Sequence, residues 1–167
     1  MKIIIALNIL ILINYIRTID YNIKTYAELS KTIKKVTAGD SIHLEDGLYL
    51  GQIKVIDKSG TSTKPIVLKG SRNAILNGNS TETGRCIHFF NSNHWILDGF
   101  TLTNGLQAIM LDNSSNNLIN NVYVHHTGIE AVHFRLNSTD NCIQNSTISF
   151  TGRTDPGRGE GLWSIHN

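Results

Sequence analysis

Four polar residues, Arg85, Gln107, Glu130 and Glu160, recur at matching positions in successive segments of this sequence. If these segments stack as neighbouring strands, Glu130 and Glu160 lie about 4.8 Å apart. Two carboxylates at that spacing share a proton, bind a cation such as Ca²⁺, or act as an acid–base pair. This polar column therefore predicts a catalytic or cation-binding site, and Ca²⁺ is the candidate cofactor.

A loop of glycine, proline and arginine accounts for the longer interval between the two glutamates. The loop, TGRTDPGRG, spans 151–159 and carries Arg153 and Arg158. Extra loop length over one stretch of a repeat often walls a binding groove. Because a guanidinium grips a carboxylate through two hydrogen bonds, Arg135, Arg153 and Arg158 are candidate carboxylate clamps or bases. A protonated arginine is nevertheless a poor base, which counts against catalysis.

A second column occupies positions predicted to face outward, and it comprises His88, Met110, His133 and Trp163. Aromatic and imidazole faces stack on sugar rings, although the same residues also serve as ordinary cross-strand partners. His125 and His126 follow at a strand end near the same groove. Adjacent residues of a strand point to opposite faces, so we do not expect them to bind one metal. His126 alone remains a candidate binding or acid–base group.

Each of these residues also has a purely structural interpretation. Glu130 and Glu160 share the parity of inward-facing apolar residues, which places them at a bend, where a carboxylate accepts backbone N–H groups. Arg153 and Arg158 can pair with Asp155 or Glu160 across their own loop, which contributes little energy at an exposed position.

The elements that must position these side chains are short repeated strands. Similar segments begin at Trp95, Asn117 and Asn141, at intervals of 22 and 24 residues, and contain short apolar runs separated by Asn, Gly, Ser and Thr. Repeats of this length imply stacked units that cannot bury their apolar faces alone. Aligned apolar positions fall into columns, namely Leu97/Ile119/Ile143, Leu102/Val124/Ile148, Ile87/Ile109/Val132/Leu162 and Phe89/Leu111/Phe134. The pattern predicts an all-β, parallel β-helix of about five coils, over 41–64, 65–94, 95–116, 117–140 and 141–167.

Gly99, Asn121 and Asn145 interrupt the apolar run at one position of the repeat. Glycine and asparagine adopt the left-handed backbone region at low cost, so this column predicts a sharp bend. Stacked asparagines there are also expected to link the coils through their amides.

The amino-terminal part of the chain predicts a targeting segment followed by a cap. Lys2 precedes an apolar run over 3–16, which is typical of a signal peptide over 1–19. A signal anchor over the same residues is the alternative. The β-helix domain is then expected over 20–167. Thr25 and Glu28 form a capping box that opens a helix over about 25–36, with Ala27, Ile33 and Val36 on its inner face. This amphipathic helix is expected to cover the open end of the solenoid.

The charge balance, the sequons and the cysteines indicate which partners this protein can bind and where it is located. Removal of 1–19 lowers the basic residues from 15 to 13, equal to the 13 acidic ones, so no nucleic acid partner is expected. Sequons at Asn79, Asn113, Asn137 and Asn145 fit a secreted glycoprotein without a stable membrane span. Cys86 and Cys142 fall on different strands, so we expect two buried free thiols rather than a disulfide.

Two stretches resemble the right-handed parallel β-helix proteins of the pectin-lyase-like superfamily. These are the helix followed by AGDSIHLEDGLYLGQIKV and KPIVLKG, and the later runs EAVHFRLNSTDNCIQNSTIS and GEGLW. The resemblance covers about 25–167. It implies one of the functions found in this superfamily, which holds polysaccharide lyases, glycoside hydrolases and tailspikes. The Asp-rich calcium cluster of pectate lyases and the Asp pair of polygalacturonases are absent from the sequence. The chain is similar to an amino-terminal portion, with an open final coil that predicts either truncation or self-association.

Two functions follow from the sequence. The first is an extracellular carbohydrate-active protein that binds acidic polysaccharide and cleaves it by β-elimination or hydrolysis; its catalytic candidates are Glu130, Glu160, Arg135 and Arg153, and its substrate-binding candidates are His88, His126, His133, Arg158 and Trp163. The second is a non-catalytic glycan-binding or structural surface β-helix, or an inactive fragment of a larger enzyme. The sequence does not decide between them, because one fold hosts many activities.

Overall fold

Residues 18–164 are described in a computed structural model, and side chains through Leu162. They form a parallel β-solenoid of about five turns, so the predicted fold class is confirmed. The predicted signal segment, 1–19, lies almost wholly outside the described residues. Within 18–164, no helix is long and apolar enough to cross a membrane.

The strands of residues 18–164 form three parallel sheets: each of the five turns contributes one strand to each sheet, and β1 adds a sixth strand to sheet A. Sheet A contains β1 (Asp20–Ile23), β2 (Ser41–Leu44), β5 (Ile66–Gly70), β8 (Trp95–Asp98), β11 (Leu118–Asn120) and β14 (Cys142–Gln144). Sheet B contains β3 (Gly47–Leu50), β6 (Ala74–Asn77), β9 (Thr101–Thr103), β12 (Tyr123–His125) and β15 (Thr147–Ser149). Sheet C contains β4 (Ile53–Ile56), β7 (Arg85–Phe90), β10 (Gln107–Asp112), β13 (Val132–Arg135) and β16 (Leu162–Ser164).

Strand register confirms the predicted apolar columns. Ile119 pairs with Leu97 and Ile143 in sheet A, and Val124 pairs with Leu102 and Ile148 in sheet B. In sheet C the same holds for the two predicted columns, Ile87/Ile109/Val132/Leu162 and Phe89/Leu111/Phe134. Alternate residues of each strand point inward, so the three sheets enclose one apolar core. The largest fully buried side chains are Trp95, Tyr49, Phe89 and Phe100.

The bend between sheets A and B has the predicted backbone geometry. Gly99, Asn121 and Asn145 have φ of 93°, 49° and 52°, which lie in the left-handed region. At Gly99 a Cβ would also lie 2.2 Å from the Gly70 carbonyl oxygen, so only glycine fits there. The predicted amide stack is displaced by one residue: Asn145 donates its side-chain N–H to Asn120 at 2.9 Å, and Asn120 donates to Asp98 at 2.8 Å.

We expect Asn121→Ala to be less stable than Asn121→Gly by about 1–2 kcal/mol, because a Cβ disfavours the left-handed region. Both variants lose the amide that accepts a hydrogen bond from Arg72, so their difference isolates backbone strain. Urea unfolding followed by circular dichroism measures it. Equal midpoints for the two variants would show that this bend carries no strain.

The predicted cap is a short helix, α1, over Tyr26–Ile33. Thr25 is its N-cap residue, and the capping box with Glu28 is formed in both directions, as the sequence predicted. Ile33 and Val36 are buried as predicted, but Ala27 is exposed and Leu29 takes its place in the core. The helix ends at Ile33 rather than near 36, because the chain turns toward β2 after Lys34.

Both cysteines are free, as predicted, but only one is buried. Cys86 is fully enclosed, and burial raises the pKa of its thiol to about 12, which makes it unreactive. Cys142 is exposed, contrary to our prediction, because it lies on the outer side of β14.

Candidate active site

Charged side chains of the second, third and fourth coils gather on the outer face of sheet C. Strand pairing places Lys54, His88, Met110, His133 and Trp163 in one column. A second outward column runs beside it through Ile56, Phe90, Asp112 and Arg135. Between and above them lies a polar group that we call the outer-face cluster, which consists of Arg85, His88, Gln107, Asp112, Glu130, His133 and Arg135.

Asp112 lies at the centre of the outer-face cluster. Arg135 donates two hydrogen bonds to its carboxylate, Nε to Oδ1 and Nη2 to Oδ2, both at 2.7 Å. His88 Nε2 lies 2.8 Å from Asp112 Oδ2. Burial alone would raise the pKa of this carboxyl, but the hydrogen bonds from Arg135 and His88 more than offset it and hold the pKa below its ordinary value. Asp112 is therefore an ionised group that fixes both neighbours.

The pairing with Asp112 determines which nitrogen of His88 is basic. A carboxylate only accepts hydrogen bonds, so Nε2 carries the proton in this contact. In the neutral ring Nδ1 then holds the free lone pair. An imidazole oriented by a carboxylate in this way is suited to proton abstraction.

Glu130 belongs to the same cluster, which corrects the predicted inward parity of its column. Its Oε2 accepts a hydrogen bond from Gln107 Nε2 at 3.1 Å, and its Oε1 lies 3.8 Å from His133 Nδ1. The strands bend just after this column: the N–H groups of Ala108 and Ile109 both donate to the Ala131 carbonyl. The bend breaks strict alternation and turns the polar column toward the outer face.

Glu160 continues the polar column in the next turn. Its carbonyl accepts the Ala131 N–H at 3.0 Å, and among the described residues its buried Oε2 has no hydrogen-bond partner. Within 18–164, no three His, Cys, Asp or Glu side chains converge to hold a metal ion. Ca²⁺ takes six to eight oxygen ligands, and Glu130 is already engaged by Gln107 and His133. The described side chains thus do not form a complete calcium site.

Arg85 supplies the cation of this face. Burial lowers the pKa of its guanidinium, and Arg135 adds to this effect, yet a guanidinium remains charged at neutral pH. Its Nε is buried and has no hydrogen-bond partner within 18–164. With His88, Lys54, Gln52 and Ile53 it lines a cavity of about 270 Å³. A cationic group and an oriented imidazole thus open onto the same space.

The pKa of His133 gives this cluster a defined pH response. Burial lowers the pKa, Glu130 opposes this effect and Arg135 adds to it, with a net decrease. As pH falls below about 6.5, the unfolded chain takes up this proton before the folded chain does, so the free energy of unfolding decreases. We expect the urea midpoint of His133→Gln to decrease less than that of the wild type as the pH is lowered below about 6.5. At about pH 8 the His133 ring is neutral in the folded and the unfolded chain, so the difference between variant and wild type at that pH reports only the change in packing. Parallel profiles would contradict the assignment.

The other predicted arginines lie on the exposed loop. Arg158 Nε donates to Asp155 Oδ2 at 2.9 Å, within a short 3₁₀ turn over Pro156–Arg158. Arg153 is exposed, and its backbone N–H donates to the Thr127 carbonyl. Strand pairing sets Trp163 beside His133, but its side chain is outside the described atoms. The loop therefore lies at the edge of the cluster rather than within it.

His126 lies away from the cluster, at the end of β12 in sheet B. Its ring stacks on Phe150 at 4.9 Å, and its Nδ1 lies 2.6 Å from His125 Nδ1. The expectation that these neighbours point to opposite faces is wrong, because φ of His126 is 54° and the left-handed backbone turns both rings to one side. The shared groove with His88 is also not formed.

Sequence reasoning missed Asp112 as a functional residue, although it joins His88 to Arg135. One signal was present: Asp112 aligns with Arg135 at the next interval of the repeat, and opposite charges on adjacent strands pair. Arg85 and Gln107 were recognised as members of the polar column, but not that Arg85 lines a cavity with His88 or that Gln107 donates to Glu130.

The three stacked parallel sheets around one apolar core define the class of this protein as a parallel β-helix. The sequence profile described as "Pel9A-like, right handed beta helix region" matches residues 18–161. The chain belongs to this right-handed β-helix family. Among curated proteins, none matches the sequence.

Solved structures show which proteins share the fold. The alginate lyase from Paenibacillus sp. str. FPU-7 is 32% identical over 89% of this chain, with a TM-score of 0.84. The chain spans 51% of that enzyme, about half its length. The PL6 family polysaccharide lyase Pedsa3628 from Pseudopedobacter saltans is 18% identical over 87% of this chain and 42% of that one, with a TM-score of 0.50, and shows the fold alone.

Proposed function

We propose that this protein binds an acidic, uronate-containing polysaccharide on the outer face of sheet C and cleaves it by β-elimination. The observation that carries the proposal is the cavity of about 270 Å³, in which Arg85 and Lys54 open onto the same space as His88. The likeness to an alginate lyase at 32% identity supports the substrate class, since alginate is a polyuronate.

The chemistry begins with the substrate carboxylate. Arg85 and Lys54 bind it, which withdraws charge from the sugar and acidifies the proton on the adjacent carbon, C5. Arg135 is held by Asp112 through two hydrogen bonds, and this contact raises the pKa of its guanidinium, so Arg135 acts as a fixed cation rather than a base.

His88 is the base in this proposal. Nδ1 takes the C5 proton, the C5–H electron pair forms the C4–C5 double bond, and the bond between C4 and the glycosidic oxygen breaks. The imidazolium returns the proton to the departing oxygen, so the reaction needs no water and no further reagent. Asp112 stabilises the imidazolium while it exists, as an ionised partner of Nε2.

Binding without cleavage is the second candidate, and exposed apolar side chains favour it. Ile56 and Phe90 are 50% and 43% exposed in adjacent strands beside the His88 column. Such side chains pack against sugar faces whether or not a bond is broken. His133, which we predicted to contact glycans, is buried, as is Met110 in the same column, so this contact would fall to Phe90 and Ile56.

Export from the cell is part of the proposal, because a polysaccharide substrate lies outside. The apolar run over 3–16 supports it. The four sequon asparagines, Asn79, Asn113, Asn137 and Asn145, are all exposed, which is compatible with glycosylation. Amino-terminal sequencing of the secreted protein from its native host tests this part.

The reaction is tested with alginate, polygalacturonate and the neutral polymer dextran. We expect the full chain to produce ultraviolet absorbance from an unsaturated uronate with a polyuronate, and none with dextran. Binding of the polyuronates without this absorbance would overturn the lyase reaction in favour of the binding function. Absence of both binding and absorbance would overturn the proposal as a whole.

A further inference from the structure

The outer face of sheet C continues past the candidate active site toward the amino-terminal coils. We propose that a second carboxylate-binding site lies there, formed by Lys34 and Lys58 beside Lys54, and that it holds a uronate residue beyond the one that reacts. This inference rests on the proposed function and extends it, since it assigns where the remote part of the polymer binds.

The site is a cavity of about 330 Å³ between α1 and β4. Ile33, Lys34, Lys54, Ile56 and Lys58 line it. Lys34 follows the last residue of the helix, while Lys54 and Ile56 lie on the outer side of β4. Three ammonium groups around two isoleucines match a ligand that combines an anionic group with an apolar face. A uronate ring has both features.

The three lysines carry charge that nothing in the described part of the chain neutralises. No ion pair within 18–164 includes Lys34, Lys54 or Lys58. The acid nearest in sequence, Asp57, instead accepts a hydrogen bond from Asn91 at 2.7 Å. Like charges that share a cavity repel one another, and a bound carboxylate relieves this repulsion.

Lys54 connects this site with the candidate active site. It lines the cavity of Arg85 and His88 as well as the lysine cavity, so the two spaces adjoin. Strand pairing sets Lys54 directly beside His88. Arg85 and His88 lie on β7 and Lys54 lies on β4, one strand spacing or about 4.8 Å away. A polymer laid across the strands would therefore place one carboxylate at Arg85 and Lys54 and a further one at Lys34 and Lys58.

This arrangement predicts that affinity depends on chain length. A short oligomer reaches only Arg85 and Lys54, whereas a longer one also reaches the lysine cavity. Each additional carboxylate–ammonium contact is expected to tighten binding by up to about 5-fold, because ion pairs at largely exposed positions contribute little energy each.

The test is titration calorimetry of the full chain with alginate oligomers of defined length, from dimer to octamer. We compare the wild type with the double variant Lys34→Gln/Lys58→Gln, which leaves Lys54 in place. The matched control is Lys64→Gln/Lys69→Gln, which removes the same charge near sheet A. Melting temperatures verify that all three proteins are folded.

We expect the Lys34/Lys58 variant to match the wild type on the shortest oligomer that binds and to lose about 5-fold or more on long ones. The control should follow the wild type at every length. Wild-type affinity that does not change with length would overturn the lysine site while the proposed function stands. So would an equal loss in the variant and the control, which would indicate a general charge effect. If the wild type binds no oligomer at all, the proposed function fails together with this inference.

Discussion

We expect His88→Ala to lower kcat for polyuronate cleavage by about 10²–10⁴-fold, which is the usual contribution of a positioned general base. His88 lines the cavity of Arg85 and Lys54, and Asp112 holds its Nε2 at 2.8 Å, which leaves Nδ1 as the nitrogen with the free lone pair. Alanine removes the acceptor of the C5 proton but leaves both cations. The rate should therefore fall far more than substrate affinity, and steady-state kinetics on alginate measures both.

The matched control for this variant is His125→Ala, which removes an imidazole from sheet B. It should cleave at the wild-type rate, because His125 lines a different cavity, with Arg72 and Tyr123. If a folded His88→Ala protein kept half or more of the wild-type rate, the assigned base would be wrong. A rate loss shared by the control would also count against it.

We expect Trp95→Ala to lower the free energy of unfolding by about 3–5 kcal/mol, the largest stability effect of any single change considered for this chain. Trp95 is fully buried, and its ring meets Phe89 edge to face at 5.4 Å. Its Nε1 donates to the Lys58 carbonyl at 2.6 Å, and its backbone N–H donates to Asn117 Oδ1 at 2.8 Å. Alanine leaves a cavity between sheets A and C, and urea unfolding followed by circular dichroism gives the loss.

Trp95→Phe separates packing from hydrogen bonding. It keeps most of the ring but loses the Nε1 donor, so the Lys58 carbonyl is left without this partner, at a cost of about 1–3 kcal/mol. We therefore expect the alanine variant to be clearly less stable than the phenylalanine variant. Equal losses would contradict the account of Trp95 as a core residue that packs two sheets together.

The fold could be predicted because the repeat interval and the strand period act together. Intervals of 22 and 24 residues aligned Leu97 with Ile119 and Ile143, and the observed register is the same. The bend at Gly99, Asn121 and Asn145 was also visible, since these residue types mark left-handed backbone. The inner face of α1 was predicted less well: Leu29, Ile33 and Val36 follow the i, i+4, i+7 spacing of one helix face, and Ala27 does not.

The outer-face cluster could be predicted only in part. The inward parity of Glu130 led us to place it at a bend, and a bend is present after Gln107. That this bend turns the side chain toward the outer face was not predicted, because no residue type marks the direction. The position of His126 depends in a similar way on one left-handed residue. Asp112 was missed because its role comes from contacts with His88 and Arg135, which are 24 and 23 residues away.

The most direct test of the central assignment is to observe the histidine rings while a polyuronate binds. Nuclear magnetic resonance of protein labelled in its imidazoles resolves His88 and His133 on sheet C from His125 and His126 on sheet B. On addition of an alginate octamer we expect the resonances of His88, which lines the cavity of Arg85, to shift and those of His125 and His126 to remain in place. Shifts confined to His125 and His126 would place the polysaccharide on sheet B and contradict the account.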